Sequence, residues 1–166
     1  MKITKKWLKN NNACEEGIEW FFNQKEVDGM KVVKILIKNN LEWANWLIVR
    51  IMNKKQKVSY AVYAAEQVIS ILEDKYPDDD RPRKAIEAAR KYLNNKSKEN
   101  KADAVYAAAD AAADAAADAA YDAVYAVAAA YAADAAYAAY AADAAKKEMK
   151  VKILKYGIKL LGKATQ

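Results

Sequence analysis

The sequence contains no histidine, and Cys14 is its single cysteine. Histidine is the commonest general base and the commonest metal ligand in proteins, so its absence argues against a catalytic or zinc-type centre. One cysteine excludes an internal disulfide and is typical of a chain from a reducing compartment. We therefore expect a protein that is not an enzyme and that binds no cofactor and no metal.

Helix breakers and long apolar runs are also scarce. The 166 residues include four glycines and two prolines, and alanine dominates the second half. Because alanine is the best helix former and the β-branched residues come in short runs rather than alternating, the composition predicts an all-α fold, a compact multi-helix bundle with a long alanine-rich helix. No apolar run approaches the length of a membrane span, and the amino terminus lacks the hydrophobic core of a signal peptide. We therefore expect a cytoplasmic protein that does not bind membranes.

Charge is divided unevenly along the chain. The net charge is +6, but residues 102–145, which we call the acidic tract, carry seven aspartates and no lysine or arginine, which leaves +13 for the remainder. Because the two parts attract each other, the pattern favours contacts within the monomer or across a homo-oligomer. The sequence has no compact basic patch with interleaved aromatic residues, so we do not expect nucleic acid as a partner.

The length suits one domain over residues 1–166. We divide it into a mixed helical half (1–94), a polar linker (95–101), the Ala/Asp/Tyr-rich acidic tract (102–145) and a lysine-rich carboxyl-terminal helix (146–166). As a single helix the acidic tract would be roughly 66 Å long, which exceeds the width of a domain of this size. Because the spacing of its aspartates and tyrosines changes near residues 128–130, we predict a bend or a hairpin there.

In the first half of the chain, capping residues and apolar periodicity predict where the helices lie. The asparagines at 10–12 interrupt the first helical segment, and Asp28 is placed to cap the helix that follows. The stretch "LEWANWLIVRIMN" is apolar almost all round, which places its helix in the middle of the core. Residues 57–76 predict one amphipathic helix, and Asp80 is a candidate cap for the next.

The first candidate site is a row of aspartates and tyrosines on one face of the acidic tract. Like charges four residues apart destabilise an isolated helix by roughly 0.2–0.5 kcal/mol per pair, so the row requires solvent or cations beside it. One interpretation is that the aspartates keep an alanine helix soluble while its methyl faces pack against neighbours. The other is a cleft in which the carboxylates accept hydrogen bonds from ribose hydroxyls or from bases of a partner protein, while the tyrosines stack or donate. The row comprises Asp110, Asp114, Asp118, Asp122, Tyr121 and Tyr125.

The second candidate site is Trp46 with Arg50 and Glu42, which form one row at i, i+4 spacing on the apolar helix. An arginine on so apolar a helix is either a member of a structural ion pair or an anion-binding fork beside a tryptophan that serves as a stacking platform. In the second interpretation Tyr60, Tyr63 and Gln67 complete the pocket. In the first, these tyrosines simply pack against alanine.

Cys14 and the glutamates that follow it are a third candidate. A catalytic cysteine needs a base, and with no histidine available we expect Cys14 to be a small buried hydrophobic residue. Glu15, Glu16 and Glu19 are either an acid pair for hydrolysis or, more simply, neighbours on a polar helix face.

Four stretches, taken in order, resemble a known family. They are "ACEEGIEWF", "LEWANWLIVRIM", "AAEQVISILEDKYPDDDRPRKAIEAARKYL" and the alanine tract punctuated by tyrosine and charged residues. Together, over residues 13–145, they resemble the alanine-rich "putative immunity protein" family of bacterial polymorphic-toxin loci and phages. The most specific piece is "KYPDDDRPRKAIEAARKYL".

The resemblance implies a non-enzymatic immunity or anti-defence protein that binds and neutralises a toxic effector. In that role the row of aspartates and tyrosines would meet a basic toxin surface, a geometry in which electrostatic steering speeds association. The alternative is a phage-type sponge that sequesters a nucleotide-derived immune signal, such as a cyclic nucleotide or an ADP-ribose derivative. A third interpretation, a structural or ice-binding alanine helix, is disfavoured because Thr4 and Thr165 are the only threonines.

Overall fold

The computed structural model describes residues 1–67, 69–75, 77–95, 97–100, 104 and 143–163. Within these ranges the named elements are eight α-helices, and the β-structure is a single isolated bridge between Lys2 and Asp28. The helices are α1 (Lys5–Asn10), α2 (Glu15–Asn23), α3 (Gly29–Asn39), α4 (Leu41–Ile51), α5 (Lys54–Glu66), α6 (Ile69–Lys75), α7 (Arg81–Asn94) and α8 (Asp143–Gly162). The all-α prediction is confirmed.

Side chains of two polar residues cap α3 and α4. Asp28 Oδ1 accepts a hydrogen bond from the backbone N–H of Lys31 at 3.1 Å, and α3 begins at the next residue after Asp28. Asn40 Oδ1 accepts from the backbone N–H of Trp43 at 3.0 Å at the start of α4. Each capping oxygen satisfies an N–H that has no partner inside its helix. The predicted cap at Asp28 and the predicted break at 10–12 are both confirmed.

Replacing Asp28 by alanine is expected to lower the free energy of unfolding by about 1 kcal/mol at neutral pH, the ordinary cost of losing such a cap. The hydrogen bond from the Lys31 N–H holds the pKa of the Asp28 carboxyl below its ordinary value of 3.8. A lowered pKa in the folded state means that the stabilisation is present above the unfolded value and is lost as the pH falls through the folded one. Urea titrations at neutral pH and in strong acid should therefore show the difference between wild type and variant shrinking in acid. Asp28→Asn keeps the acceptor oxygen and is the control, so equal losses in both variants would contradict the cap.

The described residues form two compact units, and each has its own core. The first comprises described residues of Met1–Asn53 and Lys150–Gln166. Every helix in this unit contributes a buried apolar residue, and α4 contributes Ala44 and Ile48, both 0 % exposed. α3 packs along α4. The apolar α4 thus lies in the middle of this core, as its sequence predicts.

The second unit comprises described residues of Lys54–Met149, and small side chains dominate its core. Ala89 of α7 packs with Val58 and Val62 of α5. The single amphipathic helix predicted over 57–76 is wrong, because α5 and α6 are separate helices and Tyr60 of α5 is buried at 5 % exposure. Since buried residues recur on both the valine side and the tyrosine side of α5, more than one of its faces is covered.

At the start of α7, the capping hydrogen bond predicted for Asp80 is not formed. Asp80 occupies the N-cap position, but its side chain accepts no capping hydrogen bond and pairs with Lys84 at 2.8 Å. Asp79 Oδ1 instead accepts from the backbone N–H of Arg81 at 3.2 Å. Pro82 stands in the first turn, where its missing N–H costs nothing.

The carboxyl-terminal helix begins earlier than its sequence predicts. α8 begins at Asp143 rather than at residue 146, and Leu154 on its apolar side is buried. Of the acidic tract, the structure describes residues 104 and 143–145, so the bend predicted near 128–130 lies outside the described residues. One domain over 1–166 and a linker over 95–101 stay predictions.

Candidate functional site

A pocket of about 350 Å³ opens in the first unit between α1, α2, α3 and α4. We call it the tryptophan pocket, because its mainly apolar lining includes Trp20, Trp43 and Trp46. Its volume lies in the lower part of the range typical of sites for small ligands. Polar lining groups are few, and they include the Cys14 thiol and the Glu42 carboxylate.

The segment that joins α1 to α2 builds one side of the tryptophan pocket. Asn12 has a φ of 56°, a left-handed conformation that asparagine adopts more readily than most residues. Gly17 follows in the first turn of α2, and a Cβ at that position would lie 3.2 Å from Cys14 Sγ. The missing side chain at Gly17 therefore leaves room for the Cys14 thiol beside the helix.

The indole rings of the pocket are held in edge-to-face pairs. Trp20 of α2 meets Trp43 of α4 with ring centroids 6.2 Å apart and planes at 62°. Trp46 of α4 meets Trp7 of α1 at 6.2 Å and 83°. Such pairs contribute about 0.5–1.5 kcal/mol each beyond the burial of their area, so they hold the indoles in place between the helices.

Arg50 lies over the ring of Trp46, with Cζ 4.1 Å from the ring centroid. Its guanidinium donates to the carbonyl oxygens of Trp46 at 3.2 Å and of Asn11 at 3.3 Å. Partial burial lowers the pKa of Arg50 from its ordinary value. The fork that the sequence predicts for an anion thus has N–H groups bound to backbone carbonyls, and it joins the end of α4 to the end of α1.

Tyr60, Tyr63 and Gln67, which the sequence predicts in the same pocket as Trp46, belong to the second unit. Burial raises the pKa of the Tyr60 phenol, which stays neutral at physiological pH. Gln67 Nε2 donates to the carbonyl oxygen of Tyr63 at 3.2 Å. A pocket that these residues share with Trp46 and Arg50 stays a prediction.

Cys14 is exposed, so the prediction that it is buried is wrong. The residue stands at the N-cap position of α2, at the end of a connecting segment, where its thiol lines the tryptophan pocket instead of the core. Glu15, Glu16 and Glu19 are exposed on α2, as the simpler interpretation of a polar helix face requires.

The predicted row on the acidic tract falls outside the described residues and stays a prediction; it comprises Asp110, Asp114, Asp118, Asp122, Tyr121 and Tyr125. Where the chain is described, no group of three or more His, Cys, Asp or Glu side chains is placed to hold a metal ion. Likewise, none of the described helices is both long and apolar enough to cross a membrane.

Sequence reasoning identified Trp46 as part of a site but missed Trp20 and Trp43. A usable signal exists in α2, where Gly17 and Trp20 are three residues apart. Residues at this spacing share one helix face, so a position without a side chain stands beside a large ring. That combination indicates a recess rather than a filled core.

Comparison with known proteins finds one family. A family model described as "Imm-5 like putative immunity protein" matches residues 48–165 of this chain. The matched range contains the acidic tract and α5 to α8, whereas every residue that lines the tryptophan pocket precedes it. No curated protein and no solved structure matches the chain.

Proposed function

The chain belongs to the Imm-5 like "putative immunity protein" family, and from this premise we propose that it is an immunity protein that binds a toxic effector protein and neutralises it by binding rather than by catalysis. The observation that carries the proposal is the match itself, because it covers more than half of the 166 residues and includes the whole acidic tract.

The acidic tract is the segment we propose for contact with the effector. It brings seven carboxylates and no lysine or arginine to a chain that is otherwise basic. A basic effector surface would be drawn to such a segment, because complementary charge steers association and disfavours wrong partners. The side chains proposed to make the contact are Asp110, Asp114, Asp118, Asp122, Tyr121 and Tyr125.

The chain's arginines support a partner outside the chain. All four have hydrogen-bond or ion-pair partners among the described residues, so none of them requires the acidic tract for a partner. Arg50 binds two carbonyl oxygens, and the other three form ion pairs, which are Arg81 with Asp79, Arg83 with Glu73, and Arg90 with Glu66. Arginine is well suited to bind a carboxylate through two parallel hydrogen bonds. Arginines of the effector would make such contacts with the aspartates of the acidic tract.

A nucleotide sponge draws no support from the pocket that the structure describes. A nucleotide brings phosphate groups, which proteins bind with lysine, arginine or backbone N–H groups at helix amino ends. The amino ends of α2 and α4 border the tryptophan pocket, but none of the residues described as lining it is lysine or arginine, and Glu42 in the first turn of α4 adds a negative charge. We therefore put forward the protein effector alone.

The direct test is neutralisation of a toxin, sought among the products of the genes next to this one. That toxin, produced alone in a bacterial host, should arrest growth, and this protein produced with it should restore growth. The purified pair should form a complex in which the toxin's activity is lost. Arrested growth and full toxin activity in the presence of an excess of this protein would overturn the proposal.

Removing four charges of the row should weaken the complex about tenfold, mainly through a slower association rate, because steering depends on the acidic tract. The variant is Asp110→Asn, Asp114→Asn, Asp118→Asn and Asp122→Asn combined, measured by surface-immobilised binding kinetics at low and at high salt. Screening by salt should shrink the difference from wild type.

The matched control removes four exposed acids elsewhere, as Glu15→Gln, Glu16→Gln, Glu19→Gln and Glu99→Gln. Both variants change the net charge equally, so the control should keep most of the association rate. If the two variants weaken the complex to the same extent, the acidic tract is not the contact and only general charge matters.

A further inference from the structure

The family match does not account for the tryptophan pocket. Its lining residues lie between positions 8 and 47, whereas the family match covers residues 48–165. Four elements enclose about 350 Å³, which is enough space for a small molecule.

The aromatic part of the lining selects for shape. Trp20, Trp43 and Trp46 present indole rings to one cavity, and the contact of Trp20 with Trp43 fixes two of them. Stacked and edge-to-face contacts with indoles are strongest for flat rings. A flat aromatic group therefore fits these walls better than a branched aliphatic one.

The polar part of the lining favours a ligand with a positive charge. Glu42 is the only charged residue described as lining the pocket, and its side chain is 83 % exposed, which places the carboxylate at the rim. Its ion-pair partner is Lys150, with Nζ 3.9 Å from Oε1, a loose and solvent-exposed contact. Exposed pairs of this kind are weak, so an ammonium group on a ligand can take the place of Lys150.

One indole that lines the pocket, that of Trp46, already has a planar cation against its ring. The Arg50 guanidinium lies 4.1 Å from the centre of the Trp46 ring, outside the set of residues that line the cavity. Attraction between a cation and an indole face is the interaction that aromatic cages use for cationic ligands. The same indoles, with the Glu42 carboxylate beside them, offer that environment to a second cation.

We propose that the tryptophan pocket binds a small molecule that combines a flat aromatic ring with one cationic amine. The ring lies among Trp20, Trp43 and Trp46, and the amine pairs with the Glu42 carboxylate at the rim. This binding is separate from effector neutralisation, so either proposal can fail without the other.

Three probes that share a phenyl ring and differ in charge test the proposal. They are 2-phenylethylamine, 2-phenylethanol and 3-phenylpropanoate, titrated to millimolar concentration while tryptophan fluorescence is followed. All four tryptophans of the chain lie in α1, α2 and α4, at or beside the pocket, so the signal reports on this site. Cys14, the only thiol, lines the pocket, and its rate of alkylation by iodoacetamide should fall when the amine is bound.

The amine should bind about two- to fivefold more tightly than the alcohol, as expected for one exposed ion pair, and the carboxylate should bind most weakly. Glu42→Gln should abolish the difference between amine and alcohol, whereas Lys150→Gln should increase it. Glu15→Gln, which removes an exposed charge that does not line the pocket, should leave the order unchanged.

Three results would overturn the proposal. The first is that no probe changes tryptophan fluorescence or protects Cys14. The second is that the carboxylate binds as tightly as the amine. The third is that a capped Arg-Trp dipeptide binds more tightly than the amine, which would place a partner protein's side chain in the pocket instead of a small molecule.

Discussion

Replacing Ile48 by alanine is expected to lower the free energy of unfolding by about 2–5 kcal/mol, the usual cost of truncating a fully buried isoleucine. Ile48 is 0 % exposed, and it lies on α4, which packs along α3 in the core of the first unit. The loss combines the transfer of the removed methyl groups with the cavity that they leave in a close-packed interior. An effect of this size is a large fraction of the stability of an ordinary domain.

Urea denaturation followed by tryptophan fluorescence measures this loss, because all four tryptophans lie in α1, α2 and α4 of the first unit. Ile48→Val should cost only about 0.5–1.5 kcal/mol. Ile35→Ala truncates a half-buried residue of α3 and should cost less than Ile48→Ala. A loss at Ile48 no larger than that at Ile35 would contradict the central position of α4.

The position of α4 could be predicted because its information is local. Apolar residues occupy nearly every position of "LEWANWLIVRIM", and a helix of that composition is stable only when it is surrounded. The cap at Asp28 is similarly local, since an Asx side chain reaches N–H groups two or three residues away. Features of this kind depend on a few consecutive residues, so sequence patterns identify them.

The tryptophan pocket could not be predicted in the same way, because its walls come from helices that are far apart in sequence. Trp20 and Trp43 are separated by 23 positions, and nothing in either segment indicates that their rings meet. Apolar periodicity shows that an indole faces inward, but it does not distinguish a filled core from a cavity wall. Whether an indole becomes part of a filled core or part of a cavity wall depends on how α2 and α4 approach each other.

Cys14 and Arg50 show a second limit of sequence-based prediction, because the usual environment of a residue type does not fix the environment of one particular residue. A free cysteine is usually buried, yet Cys14 stands at a helix start where the chain turns over the surface of the first unit. An arginine on an apolar helix suggests an ion pair, yet Arg50 donates to the carbonyl oxygens of Asn11 at the end of α1 and of Trp46 within α4. The partner groups of Arg50 belong to the backbone, and side-chain statistics do not include them.

α5 shows a third limit, because a helical wheel describes one helix without its neighbours. The valines and alanines of "KVSYAVYAAEQV" form a clear stripe, and the tyrosines fall on the other side. In the second unit α5 buries residues on more than one face, and the side with Tyr60 is buried as well. Burial of a tyrosine in such a place also raises its pKa, which keeps the phenol in its neutral form.

Replacing Ala89 by leucine is expected to lower the free energy of unfolding by about 1–3 kcal/mol, through overpacking rather than through a cavity. Ala89 belongs to α7, is 2 % exposed, and packs against Val58 and Val62 of α5. Leucine and alanine are both strong helix formers, so the change leaves the intrinsic preference of α7 nearly untouched. The extra methyl and methylene groups therefore have to be accommodated by moving α5 away from α7 or by strained rotamers.

Urea denaturation followed by far-ultraviolet circular dichroism measures this second loss, because it reports on helices of the second unit, where the chain has no tryptophan. Ala85→Leu is the matched control, since Ala85 lies one turn earlier on α7 and is only half-buried. Its longer side chain can extend towards solvent, so a smaller loss is expected there. Equal losses at the two positions would mean that α7 does not approach α5 through Ala89, and a gain in stability at Ala89 would mean that the interface contains unfilled space.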